Sequence, residues 1–160
     1  MYGMIENVRI KKKYGYKQGR FNPKNPSKYV GKSVSEIVYR SSWELKVMIE
    51  LDTNPAILLW SSEEVVVPYI DRRYNPPRAR RYFPDFVIKK RGTDGVERIQ
   101  MIEIKPDKER RPSKSKNRKR MIEENLTYVN NVDKWNAALA FCKEKGWDFI
   151  VLTEKELGIK

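Results

Sequence analysis

The sequence predicts an α/β domain with a mixed central sheet flanked by helices, preceded by a basic N-terminal arm. Apolar residues recur at helical spacing through residues 34–49, which indicates a first helix. Residues 82–89 and 96–105 are rich in branched and aromatic side chains and surround a turn signal, which indicates a β-hairpin. A second helix over 131–145 is followed by a short apolar strand at 148–152. This order of elements is typical of α/β folds.

The first helix is bounded by recognisable signals. Ser33 and Glu36 form a capping-box pattern at its start, and Asn54-Pro55 ends it. Glu44 falls at the edge of the apolar stripe, where a carboxylate can reach inward over a sheet. The alternative interpretation of Glu44 is an ordinary surface glutamate.

Other segments leave more than one interpretation open. Residues 57–60 and 65–69 are β-like and form either two strands or one bent strand. The Arg- and Pro-rich segment 71–81 is predicted to be a loop. Residues 121–129 are compatible with a short separate helix, and residues 154–157 with a last helical turn.

The hairpin can bring acidic and basic side chains onto one face of the sheet. Glu103 and Lys105 are two residues apart, so they point to the same side of a strand. A turn centred on Thr93 would place Asp85 on that face, diagonal to Glu103. A tight turn at Asp94-Gly95 would instead place Asp85 on the opposite face. A shared site therefore requires a loop of odd length or a bulge.

Positive charge is concentrated in three segments. The formal net charge is +13, from 34 Lys and Arg against 21 Asp and Glu. Residues 10–32 carry eight basic and no acidic side chains, residues 71–81 carry five and one, and residues 106–120 carry eight and two. We therefore expect a basic arm over 1–32, a domain over 33–160 and a polyanionic partner such as double-stranded DNA. The alternative is a basic surface that is merely solvated.

The arm interleaves aromatic rings with its charges, at Tyr14, Tyr16, Phe21 and Tyr29. Such rings can stack on bases or pack on the domain. The candidate DNA contacts are basic residues of the three segments. They are Lys11, Lys12, Lys13, Lys17, Arg20, Arg80, Arg81, Lys108, Arg110, Arg111, Lys114 and Lys116.

The composition excludes several kinds of chemistry. The chain has no histidine and a single cysteine, Cys142, so a zinc site of histidines and cysteines cannot form within it. Catalysis by serine–histidine or cysteine–histidine pairs is excluded for the same reason. No apolar run approaches the length of a membrane span, so we expect no membrane partner.

Carboxylates and lysine can still cut a phosphodiester bond. Asp85 and Glu103 would bind Mg²⁺, or Mn²⁺ as a substitute, with the backbone carbonyl of Ile104 as a further ligand. Lys105 would orient the attacking water or stabilise the transition state. Glu44 would add a ligand directly or through water. The alternative is a surface salt-bridge pattern of little energetic value.

The same residues resemble the signature of the PD-(D/E)XK nuclease superfamily, whose restriction-endonuclease-like core is α-β-β-β-α-β. Pro84-Asp85 matches its first motif and residues 103–105 (EIK) match its second. The segments 39–45 (YRSSWEL), 60–63 (WSSE) and 81–86 (RYFPDF) resemble the TnsA-like branch. From about residue 9 to residue 157, the chain is similar to the head completion nucleases of T-even-type tailed phages.

This resemblance implies an Mg²⁺-dependent deoxyribonuclease that trims packaged DNA before phage heads join tails. It implies action in the host cytoplasm during assembly or in the virion, with portal or head–neck proteins as partners. Two alternatives stay open: a transposon-end or repair endonuclease of the same fold, and a non-catalytic DNA-binding structural protein of the head or neck. The oligomeric state is also open, and a dimer is compatible with cutting both strands.

Overall fold

The computed structural model describes residues 18–159. The expectations for Lys11, Lys12, Lys13, Tyr14, Tyr16 and Lys17 lie outside this range. Strands in the described part of the chain are β1 (Gly19–Arg20), β2 (Val38–Tyr39), β3 (Ile57–Ser62), β4 (Val67–Asp71), β5 (Arg78–Tyr82), β6 (Phe86–Arg91), β7 (Glu97–Ile104) and β8 (Asp148–Leu152). Its α-helices are α1 (Ser42–Thr53) and α2 (Arg118–Lys145).

A mixed sheet in the order β3-β6-β7-β8 forms the centre of the domain. The first two pairings are antiparallel, and β7 pairs with β8 in parallel. Because side chains alternate along β6 and β7, Phe86 and Ile102 join one apolar cluster, which includes Met48 of α1. On the other face, Met101 packs with Ala138 of α2. The predicted mixed sheet with helices on both faces is therefore confirmed.

Helix α1 begins later than the capping pattern at Ser33 predicted. Val34–Glu36 form a short 3-10 turn, and the Ser33 hydroxyl hydrogen-bonds the Ser35 hydroxyl at 2.8 Å and caps no helix. The α-helix starts at Ser42, where the Ser41 hydroxyl accepts a 3.1 Å hydrogen bond from the backbone N–H of Glu44. The helix is thus capped by a second capping pattern, eight residues downstream of the first.

The described part of the N-terminal segment packs against the domain. Phe21 and Tyr29 are buried, with ring centroids 5.9 and 4.8 Å from that of Trp60. The buried Asp52 carboxylate on α1 accepts backbone hydrogen bonds from Lys24 and Asn25 at 2.8 and 2.9 Å. For these two rings, packing on the domain is the interpretation that holds.

The segment predicted as an Arg- and Pro-rich loop contains strand β5, so that prediction is wrong for residues 78–81. Strand β5 pairs with β4 in a separate two-stranded sheet, and β3 and β4 are two strands, not one bent strand. This hairpin docks on α2. The Tyr69 hydroxyl donates to Asn130 at 3.0 Å, and Arg72 pairs with Asp133 at 2.5 Å. Such tertiary support overrides the low strand propensity of the segment.

The turn between β6 and β7 has the odd length that a shared site requires. Arg91 pairs with Glu97, so five residues, 92–96, form the loop. Because Phe86 pairs with Ile102, this register extended by one residue places Asp85 directly opposite Glu103. The predicted diagonal arrangement is therefore two residues out of register, although the predicted face is correct.

Helix α2 is continuous over 28 residues, so residues 121–129 form no separate helix. The Asn117 side chain caps its start by accepting from the N–H of Arg120, and Gly146 ends it with a φ of 70°. Residues 154–158 form hydrogen-bonded turns after β8. Within residues 18–159, the helices are too short or too polar to cross a membrane.

Candidate active site

The predicted acidic pair lies where strand β7 ends and strand β6 begins. Glu103 is 4% exposed, on the sheet face that packs against α2. Its carboxylate accepts a 2.5 Å hydrogen bond from the Tyr82 hydroxyl and lies 3.6 Å from the Lys105 ammonium. The backbone N–H of Asp85 also donates to Glu103. The structure thus brings Asp85, Glu103 and Lys105 together.

Asp85 is held in place by the backbone of both neighbouring strands. Its Oδ2 accepts a 2.7 Å hydrogen bond from the N–H of Ile104. Its backbone carbonyl accepts from the N–H of Glu63 at 3.1 Å. These contacts fix the carboxylate at the end of the sheet, next to Glu103.

The two carboxylates are electrostatically crowded. Loss of hydration raises the pKa of Asp85 well above its usual value, and the charges of Glu103 and Glu44 raise it further. Loss of hydration likewise raises the pKa of Glu103. Burial alone would lower the pKa of Lys105, but the Glu103 and Asp85 carboxylates raise it above its usual value. The site therefore holds more negative charge than its own lysine balances.

Glu44 approaches the pair from the first turn of α1. Its carboxylate accepts a 2.8 Å hydrogen bond from the backbone N–H of Arg40, and loss of hydration raises its pKa. Glu63 pairs through both oxygens with the Arg40 guanidinium at 3.0 Å. Glu63 also has a φ of 53°, a left-handed conformation unusual for a residue with a side chain.

A cleft of about 280 Å³ opens beside these groups. It lies between the start of α1 and the end of β7. The residues that line it include Arg40, Trp43, Glu44, Ile104 and Lys105. The cleft gives solvent access to Glu44 and Lys105, whereas Asp85 and Glu103 do not line it.

The donor set fits a hard divalent cation, although the carboxylates do not form a complete cage. Among residues 18–159, no three acidic or other ligating side chains stand close enough together to hold a metal ion. The partly buried Asp85 and the buried Glu103 nevertheless offer carboxylate oxygens whose mutual repulsion a cation would relieve. Glu44 adds negative charge to the same site.

Two residues at the site were not identified from the sequence. Tyr82, the last residue of β5, hydrogen-bonds Glu103, and its position three residues before Asp85 is the only signal that could have found it. Lys134 of α2 lies with its ammonium 5.5 Å from the Tyr82 ring centroid. A lysine on a long helix carries no such signal, because most helix lysines face solvent.

The expected DNA contacts in the described range fall in three parts of the chain. Arg20 donates to the Ser35 carbonyl, Arg80 donates to the Tyr74 hydroxyl at 3.0 Å, and Arg81 lies 5.8 Å from the Phe83 ring centroid. The others follow β7. Lys108 and Arg110 belong to the 3-10 turn Asp107–Arg110, Arg111 pairs with Asp107, and Lys114 and Lys116 precede α2.

Comparison with known proteins identifies the fold's relatives. A family model described as "TnsA-like endonuclease N terminal" matches residues 54–154, a span that contains Asp85, Glu103 and Lys105 but not Glu44. The chain is 38% identical over 151 residues to the "Head completion nuclease" of Enterobacteria phage T4, covering 89% of this chain and 96% of that protein. The sequence motifs, the mixed sheet and both matches agree: the chain belongs to the TnsA-like endonuclease family.

Proposed function

We propose that this protein is a DNA nuclease that hydrolyses phosphodiester bonds with the help of a divalent cation, and that it acts in the completion of tailed-phage heads. The observation that carries the proposal is the pair of carboxylates formed by the partly buried Asp85 and the buried Glu103, with Lys105 3.6 Å from Glu103. The alternatives of a transposon-end or repair endonuclease and of a non-catalytic structural protein have no specific observation in their favour.

Mg²⁺ is the proposed cofactor, with Mn²⁺ as its substitute. Asp85 and Glu103 would be direct ligands, together with the backbone carbonyl of Ile104. Glu44 would act through an intervening water, which agrees with the absence of a three-carboxylate cage in the described range. When bound, the cation would polarise the scissile phosphate and favour deprotonation of a water.

Side chains of this protein would donate the hydrogen bonds that catalysis needs and would orient the carboxylates. The Lys105 ammonium, kept protonated by its acidic neighbours, would donate to the attacking water or to a phosphate oxygen whose charge grows in the transition state. Tyr82 would hold the Glu103 carboxylate in one orientation through its 2.5 Å hydrogen bond. Asp85 would be held in the same way by the N–H of Ile104.

Double-stranded DNA would approach along the basic residues around the site. The proposed contacts in the described range are Arg20, Arg80, Arg81, Lys108, Arg110, Arg111, Lys114 and Lys116. Each phosphate contact releases counterions, so binding should weaken steeply as salt rises.

The biological setting is proposed from the phage relative. That protein is named a head completion nuclease, and the alignment spans nearly all of both chains. This chain would therefore act in the host cytoplasm during assembly or remain with the virion, in contact with portal or head–neck proteins. A dimer would allow cleavage of both strands.

Cleavage of plasmid DNA with and without Mg²⁺ or Mn²⁺ tests the proposal. We expect Asp85→Asn, Glu103→Gln and Lys105→Met each to slow cleavage by at least about a thousandfold. Glu97→Gln is the matched control, because Glu97 lies on the same strand β7 but at its other end, paired with Lys89 and Arg91. It should cut like the parent.

Two outcomes would contradict the nuclease assignment. The first is a parent protein that leaves the DNA intact with every divalent cation tried, which would favour the structural alternative. The second is equal cleavage by the parent and by the Asp85 and Glu103 variants. Cleavage in the presence of a chelator would overturn the metal requirement alone.

A further inference from the structure

Helix α2 presents one charged residue on an otherwise buried stripe. Asn130, Lys134, Ala138 and Cys142 follow one another at intervals of four residues, so they lie on one side of the helix. Asn130 is 9% exposed, Ala138 is 0% exposed and Cys142 is 1% exposed. Asn130 binds Tyr69 of the β4–β5 hairpin, and Ala138 packs in the cluster that contains Tyr82. Lys134 therefore points toward this hairpin and the adjoining face of the sheet.

The half-buried Lys134 ammonium has no anionic partner at close range. It lies 5.5 Å from the Tyr82 ring centroid, and the Tyr82 hydroxyl is in turn bonded to Glu103 at 2.5 Å. In the part of the chain that the structure describes, Lys134 forms neither an ion pair nor a hydrogen bond. A partly desolvated cation without an ion-pair partner costs stability, and the nearby Glu103 carboxylate is already engaged by Tyr82 and Lys105.

Other cations act on Lys134 electrostatically. Burial lowers the pKa of Lys134, and the positive charges of Lys105, Arg73 and Arg80 lower it further, against the opposing effect of Glu103. Arg73 and Arg80 are both held by the fully buried Asp71, at 2.7 and 3.6 Å. The cluster is thus built by the fold, because Asp71 positions two of its guanidinium groups.

We infer that Lys134, together with Arg80 and Arg73, forms a subsite for a backbone phosphate of DNA beside the phosphate that is cut. This inference rests on the proposed function, and it adds residues of α2 and of the β4–β5 hairpin to the substrate site. A phosphodiester supplies the negative charge that the cluster lacks. Charge-assisted hydrogen bonds from lysine and arginine are a standard way to hold it. The subsite would also position the DNA over Glu103 and Lys105.

DNA binding and cleavage by Lys134→Met, Lys134→Arg and the parent test the subsite. Lys145→Met is the matched control. Lys145 is the last residue of the same helix. Its ammonium lies 5.0 Å from the Phe141 ring centroid and 5.5 Å from the Trp147 ring centroid. Affinity is measured with a fluorescent duplex in chelator, so that no cleavage occurs, over a series of salt concentrations.

We expect Lys134→Met to bind duplex about tenfold more weakly and to reduce the slope of log K against log salt by about one. Its melting temperature should equal or exceed that of the parent, since an unpaired half-buried charge is removed. Lys134→Arg should restore most of the affinity, and Lys145→Met should match the parent.

Parental affinity and salt slope in Lys134→Met would overturn the subsite. A loss of affinity that Lys134→Arg does not restore, together with a lower melting temperature, would overturn it in favour of a structural role. These binding measurements are independent of cleavage. A parent that binds duplex in a Lys134-dependent way but never cuts it would refute the proposed nuclease activity and leave the phosphate subsite standing.

Discussion

Asp71 and the pair Asp85 and Glu103 are two acidic sites of the fold, and they differ in how their charge is balanced. Asp71 is 0% exposed and is bonded by Arg73 through both carboxylate oxygens, with Arg80 3.6 Å away. The Arg73 hydrogen bonds hold the pKa of Asp71 below its usual value. Asp85 and Glu103 lie close to each other with Lys105 as their cation, and loss of hydration raises the pKa of both.

The difference separates a carboxylate that supports the fold from a pair that we propose binds a cation. Asp71 gains from being ionised, so its charge stabilises the folded state. Asp85 and Glu103 lose hydration without full compensation, so their charge opposes folding. Sites that must bind a cation or react commonly carry such a cost. We expect substitutions at the two sites to change the free energy of unfolding in opposite directions.

The largest expected change in stability comes from Asp71. Asp71→Asn leaves the two arginines without their anion and should lower the free energy of unfolding by about 2 kcal/mol. Denaturant unfolding in chelator measures this change. DNA cleavage, measured well below the melting temperature, should fall less than in Asp85→Asn. An unchanged unfolding midpoint would show that Asp71 has no such supporting role.

Asp85→Asn should have the opposite sign. Removing one charge from the crowded pair in chelator should raise the free energy of unfolding by about 1 kcal/mol, while cleavage is abolished. Added Mg²⁺ should stabilise the parent and leave this variant unchanged, because a ligand stabilises only the state that binds it. If Asp85→Asn lowers the free energy of unfolding instead, Asp85 is a structural carboxylate like Asp71.

The smallest effect is the dependence of stability on pH. The pKa of Asp71 is lowered by folding, so its contribution is present above about pH 4 and is lost as the pH falls through its lowered value. The pKa values of Asp85 and Glu103 are raised, so their penalty is absent below about pH 4 and grows as the pH rises through the raised values.

The free energy of unfolding of each variant is compared with that of the parent at the same pH. The exposed carboxylates that both proteins share then cancel. In chelator, the stability advantage of Asp85→Asn over the parent should increase from pH 4 to 7, and the deficit of Asp71→Asn should shrink below pH 4. A constant difference for both variants across this range would mean that neither pKa is shifted by folding.

The acidic pair could be predicted from the sequence because it depends on short-range geometry. Alternation along a strand puts Glu103 and Lys105 on one face, and a turn of odd length puts Asp85 there too. The start of α1 could not be chosen in the same way. Ser33 and Ser41 both precede a glutamate by three residues, and only the assembled fold selects the second.

The other failures depend on contacts between distant segments. Strand β5 looks like a charged loop until β4 and α2 give it a partner and a surface. Lys134 looks like any helix lysine until α2 is placed on that hairpin. In both cases the missing information is the packing of three elements, which no local pattern carries.

We propose that the crowding of Asp85 and Glu103 serves to bind a divalent cation. Diffraction from a crystal soaked in Mn²⁺, recorded at the manganese absorption edge, tests it directly. We expect an anomalous peak within about 2.5 Å of carboxylate oxygens of both residues, and we expect no such peak in Asp85→Asn crystals. Full occupancy of manganese elsewhere on the chain, with no peak between Asp85 and Glu103, would contradict it.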